Sequence, residues 1–383
     1  MVAGYRSKFY EIYGNQILPL LQKIEKIRVR RYCRLMCIEF VFVLLLIYLA
    51  FVGFFKGVFF APPNFVMEFL PIFIFLLFVL ALGLPVFEQY RFKTLLKNSC
   101  MSDIMSAFEN ITWVPAPLNY GFLNHYNKTL YSDVAINVYA TNLFNVNGYQ
   151  EYNTERYDDI FTGEYNNVRF TIAETELRYV SGSGKNKTNK LIFNGVLFTF
   201  PSNKTIKADT IIRPKNVDYI VVNSKINYIV PTLAVIFFAL IGIISKEYIF
   251  TIFAVSWWIL WMAFSKFAPK NNKHFEKINF EDIDFDKNYN VVSEDQIEGR
   301  YLITPAFIDR FKKLQKVFKT KLIRCSFYQN QISFAVSSNK DMFEIGDLWH
   351  SLLDSKRVQE FFDEMVAVLD MIELFKLDEK TGL

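Results

Sequence analysis

A chain of 383 residues that is 52% hydrophobic and 17% aromatic is more apolar than a soluble domain of that length. It points to polar domains of modest size carried on a membrane anchor. The formal net charge of +5 is not a nucleic-acid signature: Met1–Leu35 holds eight Lys or Arg against Glu11 and Glu25, directly before the first long apolar run, which is the positive-inside pattern.

In residues 1–35, Phe9, Ile12, Ile17, Leu20, Leu21, Ile24 and Ile27 recur mostly at three- and four-residue steps and predict an amphipathic basic helix. Pro19 should break or kink it. The basic side would meet anionic headgroups, and the apolar side another element such as the carboxyl-terminal domain. Residues 36–88 hold two apolar runs, Ile38–Phe55 and Phe65–Phe87, separated by Lys56, Gly57 and Pro62-Pro63. Each is near the roughly 20 residues that cross about 30 Å of hydrocarbon as a helix, so together they predict a transmembrane hairpin. The first run is too long and starts too late for a cleavable signal peptide. Glu39 and Glu68 fall near opposite ends of their runs, which disfavours an ion path.

Residues 89–225 predict a β-rich domain, with strands over Val168–Val180, Lys190–Phe200 and Thr205–Arg213. Residues 226–268 contain Tyr228–Ile244 and Tyr248–Phe264, joined by Ser245-Lys246-Glu247 and followed by Lys266, Lys270, Lys273 and Lys277. They predict a second hairpin returning to the same side, with a re-entrant or surface-lying pair as the alternative. Residues 269–383 predict an α+β domain. It has a helix capped by Thr304-Pro305, strands over Lys321–Phe327 and Gln331–Val336, and an amphipathic helix running through Val358, Phe361, Phe362, Met365, Leu369, Ile372 and Phe375.

Catalytic motifs are sparse. Gly182-Ser183-Gly184-Lys185 lacks the glycine and the Ser/Thr of a phosphate loop and reads as a hairpin turn. The four cysteines (Cys33, Cys37, Cys100, Cys325) are too scattered for a disulfide framework or a zinc site, and His125, His274 and His350 have no metal-ligand spacing. Cys33 and Cys37 share a helix face, where packing is favoured over lipidation. No cofactor or metal is therefore expected. The densest cluster is Glu294, Asp295, Glu298, Arg300 and Tyr301. Carboxylates beside an arginine and a phenol could do acid–base work or bind a cation. The favoured expectation is a structural joint before the Thr304 helix, with Arg300 paired to Asp295 or Glu298 and Tyr301 set against the sheet.

The stretch Phe285-Asp286-Lys287-Asn288-Tyr289-Asn290-Val291-Val292-Ser293-Glu294-Asp295-Gln296-Ile297-Glu298-Gly299-Arg300-Tyr301-Leu302-Ile303-Thr304-Pro305 resembles the signature of the bacterial DUF3137 family of membrane proteins. Tyr157–Gly163, Phe193–Phe198 and the opening from Tyr13 to Arg28 are similar to further pieces of that pattern. Gly299 stands where the family has alanine, and the Tyr228–Phe264 block is absent from most members. The resemblance implies a two-span anchor with a cytoplasmic domain, and no established activity or catalytic residues.

The fold class expected is thus a membrane protein of α-helical transmembrane hairpins, four spans in all, with cytoplasmic α+β domains and both termini inside the bacterial cytoplasmic membrane. Its partners would be the bilayer, anionic headgroups, and a protein partner or second copy, but no nucleic acid. The function expected is a membrane-tethered interaction module. The alternatives are a membrane-surface enzyme using the Asp295/Glu298/Arg300/Tyr301 cluster, and behind it an oligomeric channel or transporter.

Overall fold

The computed structural model describes residues 2–59, 64–108, 110–115, 138–146, 149–181, 188–215, 275–338, 340–377 and 379. The chain divides into two compact units. The first comprises Met1–Leu118, Asp158–Ile172 and Lys340–Leu374, and the second Asn119–Tyr157, Ala173–Asn339 and Phe375–Leu383. The expected second hairpin, the Gly182–Lys185 turn, His125 and His274 all lie outside the described residues.

The first unit opens with α1 (Val2–Ile12), a π-helical turn (Tyr13–Ile17) and α2 (Leu18–Phe59), followed by α3 (Asn64–Met105). Of the break or kink expected at Pro19, the break does not occur. A proline ring clashes with the carbonyl four residues back, and the wider π turn just before Leu18 changes the register there, letting the helix continue. Helices α2 and α3 have 42 residues each, about 63 Å at 1.5 Å per residue, twice the thickness of a hydrocarbon core. Among the described residues two helices, over Arg6–Leu49 and Phe75–Met105, are long and apolar enough to cross a membrane by length and composition. Phe40, Ile47 and Tyr48 on α2 are 60–63% exposed, as are Phe75, Leu82 and Val86 on α3 at 60–70%.

Strand β1 (Ile111–Pro115) pairs antiparallel with β4 (Thr154–Tyr165), Ile111 opposite Gly163 and Pro115 opposite Asp159. The first residues of β5 (Val168–Ser181) continue that sheet in the order β1-β4-β5. The last helix, α7 (Lys356–Leu374), closes this unit. Its Phe362 stacks on Phe9 of α1 at 4.3 Å and on Phe108 at 5.4 Å, so α1 turns its apolar side to the carboxyl-terminal segment.

The second unit contains a small ribbon of β2 (Asn145–Val146) and β3 (Tyr149–Gln150), and a sheet ordered β5-β6-β11-β10-β7-β9-β8. Its remaining strands are β6 (Thr188–Pro201), β7 (Thr210–Pro214), β8 (Glu276–Ile278), β9 (Tyr289–Ser293), β10 (Ile323–Tyr328) and β11 (Gln331–Ser337). Helices α4 (Ile283–Asn288), α5 (Gln296–Leu302) and α6 (Pro305–Val317) complete it, with α6 capped as expected by Thr304, which accepts the Phe307 N–H. Phe307, Phe311, Phe334 and Phe375 form its aromatic core.

The polar segments 89–225 and 269–383 interleave here: β6 pairs with β11, and β7 with both β10 and β9. Strand pairing is non-local, so no local pattern announced it. The strand expected from Thr205 starts only at Thr210. Upstream, the Lys207 and Asp209 N–H groups donate to Glu298 and Glu294 instead of to a neighbouring strand.

Two glycines of the motifs quoted above acquire a physical reason. A Cβ on Gly163 would lie 2.5 Å from the Asn110 carbonyl oxygen. One on Gly195, at φ +151°, would lie 2.1 Å from that of Val336. Both mark places where a neighbouring backbone comes too close for any side chain.

Candidate functional site

The densest buried polar cluster in the first unit sits on α3 just past its apolar run. Lys93 and Lys97, one helical turn apart, point the same way. Lys97 Nζ donates to Asp159 Oδ2 at 2.6 Å and lies 2.8 Å from Glu344 Oε1 and 3.7 Å from Asp158. Lys93 donates to Asp341 at 2.6 Å and lies 3.2 Å from the same Glu344 oxygen. Trp113 Nε1 donates to the other Asp159 oxygen at 2.9 Å. The side chains of Asp159, Glu344 and Lys97 are 1%, 7% and 9% exposed.

Local structure sets this geometry. Asp159 faces inward from β4, directly followed by buried Ile160 and Phe161. Glu344 is brought in by Phe343, whose φ of +57° is costly for a bulky residue. That backbone is held by the Phe343 N–H on Glu364 at 2.7 Å and by its ring against Phe161 at 5.0 Å.

Four carboxylates share two ammonium groups, so the cluster carries surplus negative charge. Burial pushes Asp159 up to about 7, against the pull of Lys97. It raises Glu344 too, against Lys97 and Lys93. For Lys97 burial works downward, but Asp159, Glu344 and Asp158 overcome it and raise the ammonium. The two partners are consistent: the lysine stays charged and the carboxylates compete for one proton.

This fixes a pH dependence. The folded value of Asp159 lies above the unfolded one, so its contribution to stability is fully present below about pH 4 and is lost as the pH rises through about 7. The thermal midpoint of the full chain is expected to fall between pH 5 and pH 8, with a smaller fall in Asp159→Asn. Equal slopes in the two proteins would remove Asp159 as the source.

Asp158, Asp341 and Glu344 are the one acidic group among the described residues whose oxygens could converge on a metal ion, lying within 4.8 Å of one another. The Lys93 and Lys97 ammonium groups already stand against these oxygens, so the group makes a poor metal centre.

The cluster singled out from the sequence lies in the second unit and is differently arranged. Asp295 caps α5, accepting the Ile297 and Glu298 N–H groups at 2.8 and 3.4 Å. Glu294 and Glu298 accept from the backbone of Asp209 and Lys207. Among the described residues Arg300 makes no ion pair with Asp295 or Glu298; it is exposed, its guanidinium 5.8 Å from the Phe280 ring centre. Two positions apart on a helix, Glu298 and Arg300 face opposite ways. Tyr301 is 54% exposed, with Lys204 over its ring at 4.3 Å. The five residues thus serve separate contacts and do not converge on one point. Cys33 and Cys37, for which the sequence favours packing over lipidation, are both exposed.

Fold and site together define a class: two long apolar helices, of which α3 is tied by buried ion pairs to β4 and to the 341–344 stretch, in a chain that also builds an antiparallel α+β sheet. Residues 191–377 match the model of the family described as "Protein of unknown function (DUF3137)", so that portion of the chain is similar to the DUF3137 family. The match includes the Phe193–Phe198 and Phe285–Pro305 motifs; Tyr157–Gly163 and Tyr13–Arg28 fall outside it. No curated protein matches the chain. The crystal structure of the mycobacterial trehalose monomycolate transport factor A, TtfA, aligns over 69% of this chain and 88% of its own, at 6% identity and a TM-score of 0.27. A likeness that slight carries nothing over.

Proposed function

We propose that this chain is a bacterial cytoplasmic-membrane protein with both termini and its polar parts on the cytoplasmic side, serving as a membrane-tethered interaction module. The observation that carries this is the exposed apolar surface of α2 and α3, including Phe40, Ile47, Tyr48, Phe75, Leu82 and Val86. Water would not tolerate so many large apolar side chains along two adjacent helices, whereas lipid solvates them. Arg30, Arg31 and Arg34 follow on the polar side of α2, and Arg91 on that of α3, which supports a cytoplasmic placement of those ends. Engagement of the Asp295 and Glu298 carboxylates by backbone N–H groups favours a scaffold over an acid–base enzyme. In the finer form of the proposal, Tyr228–Phe264 adds a second hairpin.

The test is cysteine accessibility in intact cells, in a chain whose native cysteines are replaced by alanine. An impermeant reagent is expected to label a probe at Gly57 or Lys246 and to miss one at Ser181 or Asn330. Labelling at Ser181 or Asn330 would sink this topology. Separately, Tyr228–Phe264 fused to a soluble reporter is expected to resist alkaline carbonate extraction; release would leave two spans.

A further inference from the structure

Residues 347–353 form no helix or strand, yet they are tied to both long helices at the level where the apolar surface ends. The Leu348 N–H donates to Gln89 of α3 at 3.2 Å, two residues past Phe87. The Leu348 carbonyl accepts from Arg28 of α2 at 2.9 Å. Glu25, also on α2, accepts the Leu352 N–H at 3.0 Å and the Ser351 hydroxyl at 3.3 Å. Asp347 accepts the Trp349 N–H at 2.9 Å and pairs with Arg357 at 2.8 Å. The segment is a fixed strap.

The strap buries Leu348 and Leu352 but leaves Trp349 and Leu353 40% and 47% exposed. The Trp349 ring stands edge-on to Tyr32 at 6.1 Å. Tyr32 lies six residues before Ile38, about 9 Å along the helix axis. At this level Arg31, Arg34 and Arg91 surround a single carboxylate, Glu88, at 3.8, 3.7 and 3.5 Å, which leaves a surplus of positive charge. A half-exposed tryptophan beside a tyrosine, with unneutralised guanidiniums at the same depth, matches the headgroup layer of a bilayer, where an aromatic body is buried and its polar edge stays wet.

We propose that the 347–353 strap rests on the cytoplasmic leaflet of the bilayer that α2 and α3 enter. Trp349 is seated among the headgroups, and Arg31, Arg34 and Arg91 face anionic phospholipid. This rests on the membrane-anchored function proposed above. It adds a lipid contact made by a segment whose Leu348 lies 259 positions from the Gln89 it is bonded to.

The test reconstitutes the full chain into vesicles of phosphatidylethanolamine and phosphatidylglycerol, with and without lipid brominated near the headgroup end of its acyl chains. Emission of the unaltered chain minus that of Trp349→Phe gives the contribution of Trp349; Trp349→Tyr repeats the subtraction independently. That component is expected to be blue-shifted, to lose most of its intensity to brominated lipid, and to resist iodide present on both sides. If iodide quenches it and brominated lipid does not, while the chain resists carbonate extraction, the strap does not touch lipid and this proposal alone fails. If carbonate releases the chain, the membrane anchor itself fails.

Discussion

Lys97→Met is expected to destabilise the first unit by about 3–5 kcal/mol, read as a lower thermal midpoint of the full chain in detergent and faster proteolysis of the β1–β4 region. Methionine keeps most of the stem length of lysine, so packing changes little and the loss is electrostatic. Without the ammonium, among the described residues Asp159 at 1% exposure keeps only Trp113 as a donor, and Glu344 keeps only Lys93. The sign of the pH response is also fixed. Asp159 can escape by taking up a proton, so the deficit should shrink towards pH 5 and be largest above pH 7. Adding Asp159→Asn to Lys97→Met should recover part of the loss, because it removes the stranded charge. If the two single losses simply add, the groups are not coupled and the joint is not a unit.

The contrast between what the chain's pattern reveals and what it conceals follows from the range of the interactions. Helices α6 and α7 and strands β6, β10 and β11 announce themselves locally, through the Thr304-Pro305 cap and through apolar residues at helical or alternating spacing. The interleaving of β6 and β7 with β9, β10 and β11 has no such local mark. The Lys97 cluster is hidden for the same reason. From the sequence Lys93 and Lys97 look like the basic flank of a membrane helix, yet Lys97 is turned inward to Asp159, 62 positions away. Arg28, also counted in the basic flank, is likewise buried, held by Glu25 and the Leu348 carbonyl. One local signal did exist: an Asp158-Asp159 pair directly followed by Ile160 and Phe161 in a strand puts a carboxylate among residues destined for a core. The Asp295 cluster misleads in the opposite direction. Dense charge before a helix suggested one joint, but an N-cap commits Asp295 to backbone N–H groups, and helical geometry turns Glu298 and Arg300 apart.

In the second unit, Arg324 and Glu151 form a buried two-pronged pair, with bonds of 2.9 and 3.0 Å and side chains 5% and 1% exposed. The same guanidinium donates to the Leu143 carbonyl at 3.3 Å and lies 4.4 Å from the Phe144 ring centre, while Ser326, two residues on, donates to the Thr141 carbonyl. Strand β10 thereby holds Thr141, Leu143 and Glu151 through one charged residue and one hydroxyl. Arg324→Met is expected to cost about 3–5 kcal/mol, because Glu151 is left buried without its cationic partner while the Leu143 carbonyl loses a donor. Glu151→Gln should cost less, since the amide still accepts from the guanidinium. The decisive variant is Arg324→Met combined with Glu151→Leu. A buried ion pair often contributes no more than apolar side chains of similar volume, so the double variant is expected to recover most of the loss. Thermal melts of the unaltered chain, Arg324→Met, Glu151→Leu and the double variant form a double-mutant cycle. A double variant no more stable than Arg324→Met would show that the Leu143 contact and the Phe144 ring, and not the pairing with Glu151, account for the role of Arg324.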